Sequence, residues 1–154
     1  MKMKIYIDTS VIGGFFDKEF ATDTRALFKR LENNEVIFIV SDILEQELEN
    51  APQHVKDLFY DLLKVPVEYV NLSDEVKQLA DCYISEKIVG PTSLTDCRHI
   101  AAATIYKADV LASWNFKHIV NIARIKGYNG VNLKNGYSTI EIRNPKELLN
   151  YVSI

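Results

Sequence analysis

Short apolar runs of strand length alternate along this chain with longer stretches of helical periodicity, and this alternation restricts the folds open to it. The strand candidates are four runs rich in β-branched and aromatic residues, at 3–8, 35–40, 67–72 and 109–113. The helix candidates are five stretches in which apolar residues recur every three or four positions, at about 22–33, 42–50, 53–63, 74–87 and 95–107. Strands separated by helices need crossover connections and form mostly parallel sheets. We therefore expect a three-layer α/β/α fold around a mostly parallel sheet of four to five strands.

The last part of the chain has a different composition. Glycine and asparagine become frequent after residue 126, in "KGYNGVNLKNGYS", which predicts a loop that leads to a short strand near 138–142. A last helix is expected to begin around Pro145. With 154 residues, of which 47% are hydrophobic, the chain fits one domain, 1–154. We expect residues from about 127 to 154 to form a C-terminal extension that packs on this domain and covers the sheet edge or builds a dimer.

The spacing of the cysteines and the first residues of the chain indicate the cellular compartment. Cys82 and Cys97 show no zinc-ligand or disulfide spacing. The apolar patch of "MKMKIYID" is broken at Asp8, too early for a signal peptide or a membrane span. We expect a cytoplasmic protein that makes no membrane contact.

Charge is unevenly distributed, although the net charge is only −3. Residues 41–61 carry six acids against one base, a local charge of −5, whereas residues 111–154 carry six bases against two acids, a local charge of +4. Two readings stay open at this point: ordinary solvated surface, or an acidic pocket beside a basic wall.

Carboxylates recur where the predicted strands end. Asp8 ends the first strand, Glu47 lies on the helix after the second, Asp96 lies in the first turn of the helix before the fourth, and Asn115 follows the fourth. Parallel sheets bind ligands beyond the carboxyl ends of their strands. Clustered carboxylates repel one another unless a cation offsets their charge, and oxygen ligands favour Mg²⁺ or Mn²⁺. The sequence thus predicts a metal site at this edge.

Two of these acids have a plainer interpretation. Asp96 has the position of a capping-box partner of Ser93 in "SLTD", and Glu47 can belong to a solvated helix face together with Glu45 and Glu49. Asp8 is harder to explain without a ligand, because a charge at the inner end of a buried strand is costly unless it is paired.

The segments "YIDTSVIGGFFD", "VSDILEQELENAP" and "SLTDCRHIAAATIYKADVLASWNFKHI" together resemble the PIN domain, the metal-dependent nuclease fold of VapC-type toxins. The resemblance covers most of the chain in the right order. It implies three metal-binding acids, Asp8, Glu47 and Asp96, with Asn115 at the position of a fourth acid. It also implies that Ser10 orients Asp8 and that Ser113 stands where many PIN proteins have a threonine.

This resemblance implies a function. We expect an Mg²⁺- or Mn²⁺-dependent endoribonuclease that hydrolyses single-stranded or structured RNA and forms a homodimer, as the toxin of a type II toxin–antitoxin pair with an antitoxin protein as partner. Asn115 contributes no charge, so the alternative is a weakened PIN-like domain that binds RNA or a partner protein without cleaving. Haloacid-dehalogenase-like phosphatases need Asp-x-Asp, and position 10 is Ser; G-x-G-x-x-G and G-x-S-x-G are absent from the sequence.

Further side chains are candidates for supporting roles. His99 lies three residues after Asp96 on the same helical face, which fits either a partner of the acids or a packed histidine. The candidates for RNA contact are basic or aromatic residues near the fourth strand and beyond it: Lys117, His118, Trp114 and Arg124. Trp114 and Phe116 can stack on a base or pack in the core.

Overall fold

The computed structural model describes residues 2–152, with eight α-helices and five β-strands in that range. The strands are β1 (Met3–Ile7), β2 (Val36–Ser41), β3 (Glu68–Val70), β4 (Val110–Ala112) and β5 (Glu141–Arg143). The helices are α1 (Thr9–Gly14), α2 (Ala21–Glu32), α3 (Asp42–Glu47), α4 (Gln53–Leu62), α5 (Asp74–Ser85), α6 (Leu94–Ile105), α7 (Ile122–Lys134) and α8 (Pro145–Val152). A 3₁₀ turn, Leu48–Asn50, extends α3. No helix in this range is long and apolar enough to span a bilayer.

All five strands form one parallel sheet in the order β3-β2-β1-β4-β5. β1 lies at its centre, where Ile5 is the register partner of both Phe38 and Val110. Alternate residues of β1 point to opposite faces: Tyr6 packs in one apolar cluster, with residues of α5, α6 and α7, and Ile5 packs in the other, with residues of α1, α2, α4 and α8. The three-layer α/β/α arrangement with a parallel sheet is therefore confirmed.

The predicted elements of the first two thirds of the chain are confirmed to within a few residues. Ser41 and Ser73 cap α3 and α5, because their side chains accept hydrogen bonds from the backbone N–H groups of Leu44 and Val76. The predicted last strand and last helix are also present, as β5 and α8.

The loop predicted after residue 126 is wrong, because α7 continues to Lys134. Asn121 caps this helix, and Tyr128, Val131 and Asn132 form its buried face. Asn132 can be buried because its amide forms hydrogen bonds with the hydroxyl groups of Tyr83 and Thr104. A high content of glycine and asparagine therefore did not mean a loop: the apolar face and the cap outweigh the low helix propensity of these residues.

The six-residue helix α1 was missed by periodicity, since it is only one and a half turns long. Its N-cap is Asp8, whose side chain accepts a hydrogen bond from the backbone N–H of Val11. Gly14 ends it in close contact with Trp114: a Cβ atom at this position would lie 2.7 Å from the indole Cδ1. The strand that carries Asp8 thus turns directly into a helix that is packed against the segment after β4.

Residues 127–152 contribute part of α7, the edge strand β5 and α8, which packs on α2. Residues 1, 153 and 154 lie outside the described part of the chain. The division into a domain 1–154 and a C-terminal extension stays a prediction.

Candidate active site at the carboxyl edge of the sheet

Asp8 lies at the end of the central strand, only 3% exposed, and its carboxylate is held by donors from two chain segments. Ser10 donates to Oδ1 over 2.6 Å and Ser113 donates to Oδ2 over 2.6 Å. Burial raises the pKa of Asp8 above its usual value, although nearby His99 and the two serine hydroxyls act in the opposite direction. The predicted contact between Ser10 and Asp8 is present in the structure.

Glu47 ends α3, and about a third of its side chain is exposed (33%). Its Oε1 accepts hydrogen bonds from the Thr9 hydroxyl and from Nε2 of His99, the latter over 2.5 Å. Within residues 2–152, Oε2 of Glu47 accepts no hydrogen bond. Burial raises the pKa of Glu47, but the hydrogen bond and charge of His99, together with Thr9, outweigh burial and leave this pKa below its usual value.

His99 is buried (2% exposed) and its ring is held on both sides. Nδ1 bonds to the Tyr6 hydroxyl over 2.7 Å, and the same hydroxyl bonds to Oγ of Ser41 over 2.8 Å. Burial raises the pKa of Tyr6, so this hydroxyl stays protonated and can donate one bond while it accepts another. Ser41 therefore caps the start of α3 and also bonds to Tyr6, which in turn holds His99. His99 holds Glu47 at the end of α3.

Asp96 lies in the first turn of α6, half-buried, and its Oδ2 accepts a hydrogen bond from Nδ2 of Asn115 over 3.3 Å. The predicted capping box is wrong: within residues 2–152, the Ser93 side chain makes no hydrogen bond that caps α6. Asp96 is thus not needed for a capping box. Burial raises its pKa, and the charge of Glu47 adds to this effect, while His99 and His118 oppose it.

Asn115 points its nitrogen, not its oxygen, at the acids. Its Oδ1 accepts the backbone N–H of His118 over 3.0 Å. A backbone N–H can only donate, so the atom facing it must be the amide oxygen, and Nδ2 must face Asp96. Asn115 therefore supplies a hydrogen-bond donor to a half-buried carboxylate where a fourth acid would repel it.

A chain of hydrogen bonds connects these groups across the sheet edge. The backbone N–H of Asn115 donates to the Ser113 hydroxyl over 2.9 Å, and Ser113 donates to Asp8. The backbone N–H of Trp114 donates to Ser10 over 2.8 Å. Asp8 and Asp96 are thus connected through Ser113 and Asn115, while Glu47 joins α6 through His99.

The residues predicted to contact RNA fall into two groups. Lys117 is exposed, and His118 is half-buried beside Asp96 with its Nδ1 buried and without a partner in the described residues. Trp114 is only 8% exposed, stacks on Phe20 at 4.2 Å between ring centroids, and donates from Nε1 to Thr24. Arg124 donates to the carbonyl of Ile88 over 2.6 Å. The structure thus uses Trp114 for core packing and Arg124 for a loop contact.

Sequence reasoning missed three residues at this edge: Thr9, Tyr6 and Arg98. Thr9 follows Asp8 directly, and a threonine just after a strand-end acid was the available signal. The role of Tyr6 carried no signal, since a tyrosine within a buried strand normally reads as core. Arg98 lies beside Glu47 in a small cavity.

Oxygen donors dominate the site, which is the ligand chemistry of Mg²⁺ and Mn²⁺. No group of three or more His, Cys, Asp or Glu residues in the range 2–152 is arranged so that it could hold a metal ion. Mg²⁺ commonly uses only one or two carboxylates and completes its coordination with water and substrate phosphate. The donor set therefore fits a hard cation held mainly by water and phosphate rather than by an all-protein cage.

Comparison with known proteins supports the fold. No protein-family model matches the chain, and no curated protein matches it. Among solved structures, a chain of VapBC2 from Rickettsia felis, bound to a DNA fragment from their promoter, is similar with a TM-score of 0.55 at 14% identity. The match covers 92% of this chain and 98% of that one. At this identity the likeness concerns the fold, and together with the five-stranded parallel sheet it confirms the predicted PIN-like fold class.

Proposed function

We propose that this protein is an Mg²⁺- or Mn²⁺-dependent endoribonuclease. The observation that carries the proposal is the position of Asp8, Glu47 and Asp96, after β1 and on α3 and α6, along the carboxyl edge of a PIN-like sheet, where Ser113 and Asn115 connect Asp8 to Asp96. Burial raises the pKa of Asp8 and Asp96, which means that ionising these carboxylates in the folded protein costs free energy. A divalent cation would remove this penalty.

One or two of the acids Asp8, Glu47 and Asp96 would hold the metal directly, and the metal would supply an activated water and offset the charge on the phosphate. Ser10 and Ser113 fix both oxygens of Asp8, so its carboxylate is oriented before any ligand arrives. His99 and Thr9 hold Glu47 by Oε1 and leave Oε2 for a ligand. Asn115 orients Asp96 in the same way.

Single-stranded or structured RNA is the proposed substrate. Phe116 is 47% exposed beside Asn115, where it can stack on a base, and the exposed Lys117 adds a positive charge. Phe116 and Lys117 stay candidates for RNA contact, whereas Trp114 and Arg124 are engaged inside the fold.

The test is cleavage of a fluorescently labelled single-stranded RNA in the presence of Mn²⁺ by the Asp8→Asn variant. We expect its kcat/KM to fall at least about 100-fold, equivalent to about 2.7 kcal/mol of barrier, because the neutral amide is a poor ligand for a hard cation. Asp81→Asn, the same change at an exposed residue of α5, is the matched control and should cleave like the wild type. Cleavage by Asp8→Asn at the wild-type rate would refute the assignment.

One observation favours a second function, binding without cleavage: Asn115 offers its nitrogen where PIN proteins resembling this chain have a fourth acid. A site with three acids attracts a cation less strongly. Calorimetric titration with Mn²⁺ separates the two functions. Binding in the micromolar to low millimolar range supports the nuclease, and no heat change at millimolar Mn²⁺ supports a domain that only binds RNA or a protein.

We also propose an antitoxin partner and a homodimer, in a cytoplasmic protein of the toxin–antitoxin type. The similar solved structure contains VapBC2 with promoter DNA, which supports a protein partner. Exposed apolar side chains on α7, Ile122 (76% exposed) and Leu133 (61% exposed), support self-association. Light scattering of the purified chain measures its mass, and co-purification with the product of a neighbouring small reading frame tests the antitoxin.

A further inference from the structure

A small cavity of about 190 Å³ opens between α3 and α6 beside the carboxylates. Its lining combines two apolar side chains with a carboxylate, an amide, a hydroxyl and a guanidinium. The lining residues are Ile43, Leu72, Gln46, Glu47, Thr95 and Arg98. Asp42 holds the segment of Leu72 in place, since its side chain accepts a hydrogen bond from the backbone N–H of Leu72 over 2.9 Å.

Arg98 is the unusual member of this cavity. Its Nε is buried and, within residues 2–152, has no hydrogen-bond partner. A buried N–H donor without a partner costs free energy, more so when it belongs to a charged group. Glu47 lines the same cavity, but within residues 2–152 its carboxylate bonds to His99 and Thr9 and forms no ion pair with Arg98. The Nε atom of Arg98 is thus a buried donor without a partner in the described residues, on a partly buried guanidinium that lines the cavity.

The other polar groups of the lining suit a tetrahedral oxyanion better than a carboxylate. Thr95 lies one turn before Arg98 on the same face of α6, and it belongs to the first turn, where backbone N–H groups and the helix dipole favour negative charge. Gln46 contributes amide hydrogens from α3. Donors from two helices match the several oxygens of a phosphate, and a guanidinium binds phosphate with two parallel hydrogen bonds.

The position of the cavity identifies the source of the phosphate. Glu47 belongs both to the cavity and to the carboxylate cluster, so a strand whose scissile phosphate lies at the cluster brings a neighbouring phosphate to Arg98. We propose that Arg98 and Thr95 bind the RNA phosphate next to the scissile one. The location next to a scissile phosphate rests on the proposed nuclease function, whereas phosphate binding by Arg98 does not.

The test measures RNA binding without cleavage, by fluorescence anisotropy of a labelled single-stranded RNA in EDTA. We expect Arg98→Gln to bind about tenfold more weakly than the wild type. The slope of log affinity against log salt should also fall by about 0.7, the value for one lost phosphate contact on a single strand. Arg30→Gln is the matched control, since Arg30 pairs with Glu35 at the opposite edge of the sheet, and should bind like the wild type.

Two further variants keep the test decisive if Arg98→Gln is poorly folded. Arg98→Lys keeps the positive charge but loses the planar guanidinium that forms two parallel hydrogen bonds. It should keep the slope of log affinity against log salt while it loses part of the affinity. Thr95→Val removes one hydroxyl and should weaken binding about threefold. Equal binding by Arg98→Gln and Arg30→Gln, with both variants folded by circular dichroism, would overturn the proposal.

Competitors identify other occupants of the cavity. Polyglutamate that displaces RNA from the wild type as readily as unlabelled RNA does would assign the cavity to an acidic protein segment and overturn the proposal. Displacement by inorganic phosphate at the concentration of the RNA would assign it to a free phosphate and would also overturn it. Failure of the nuclease hypothesis is separate, because it shows as wild-type cleavage by Asp8→Asn while anisotropy still reports the role of Arg98.

Discussion

At the scale of single residues, hydrogen-bond direction decides what each group at the carboxyl edge can do. Asn115 shows this most clearly, since the backbone N–H of His118 takes its oxygen and leaves its nitrogen for Asp96. Likewise, the two donors on Oε1 of Glu47 leave the other oxygen for a ligand. Neither assignment is visible in the residue type alone.

Asn115→Asp restores a fourth acid and tests this assignment. In EDTA the new carboxylate would repel Asp96, so we expect the free energy of unfolding to fall by about 1–2 kcal/mol. In Mn²⁺ the same charge would strengthen metal binding, so the rise in Tm on adding Mn²⁺ should exceed that of the wild type. Thermal melts in both buffers measure the two effects.

Asn121→Asp is the matched control, because Asn121 caps α7 through its side-chain oxygen, a role that aspartate also performs. Its Tm should not fall in EDTA and should not respond to Mn²⁺ differently from that of the wild type. If Asn115→Asp behaved like this control, Asn115 would not be adjacent to a metal site.

At the scale of elements, α7 shows that glycine in a helix can be a packing residue. A Cβ atom at Gly127 would lie 2.8 Å from Cγ2 of Ile88, so a larger residue there would require the Ile88 side chain to move. At Gly130, on the same helix, nothing lies within 4 Å of such an atom. Two glycines that look alike in the sequence therefore have opposite roles.

Alanine substitution separates these roles. Gly130→Ala should raise the free energy of unfolding by about 0.5–1 kcal/mol through helix propensity. Gly127→Ala gains the same propensity but forces Ile88 to move, which costs about 1–3 kcal/mol. Urea titration should thus find Gly127→Ala less stable than Gly130→Ala; equal stability would show that α7 does not pack against Ile88 as described.

At the scale of the whole molecule, Asp8 and Asp96 at the carboxyl edge of the sheet lower the free energy of unfolding when they are ionised. Three acids lie along this edge because the carboxyl ends of the parallel strands, and the starts of the helices between them, lie there. Burial raises the pKa of Asp8, so ionisation of this group in the folded state costs more than in the unfolded chain. The stability associated with its protonated form is therefore present at low pH and is lost as pH rises from the unfolded value of about 3.9 through the folded pKa.

Asp8→Asn removes this titration and so changes the pH dependence of stability. We expect the free energy of unfolding of the variant, relative to the wild type in EDTA, to increase between pH 4 and pH 7. Glu47 titrates in the opposite sense in both proteins, since its pKa is lowered, and it cancels in the difference. Urea titrations across this range provide the measurement, and a difference that stays constant or decreases would contradict a desolvated Asp8.

Local patterns in the sequence determined the parallel α/β architecture and the placement of Asp8, Glu47 and Asp96 along one edge of the sheet, because periodicity and strand-end position act over a few residues. Tertiary structure decided the rest. The helix α7 forms because a buried face and Asn132 find partners in other elements, and Trp114 is buried because it packs on Phe20 and bonds to Thr24. Glu47 is held in place because His99 and Thr9 bond to its Oε1. Each of these outcomes depends on contacts between residues far apart in the chain, which no local pattern encodes.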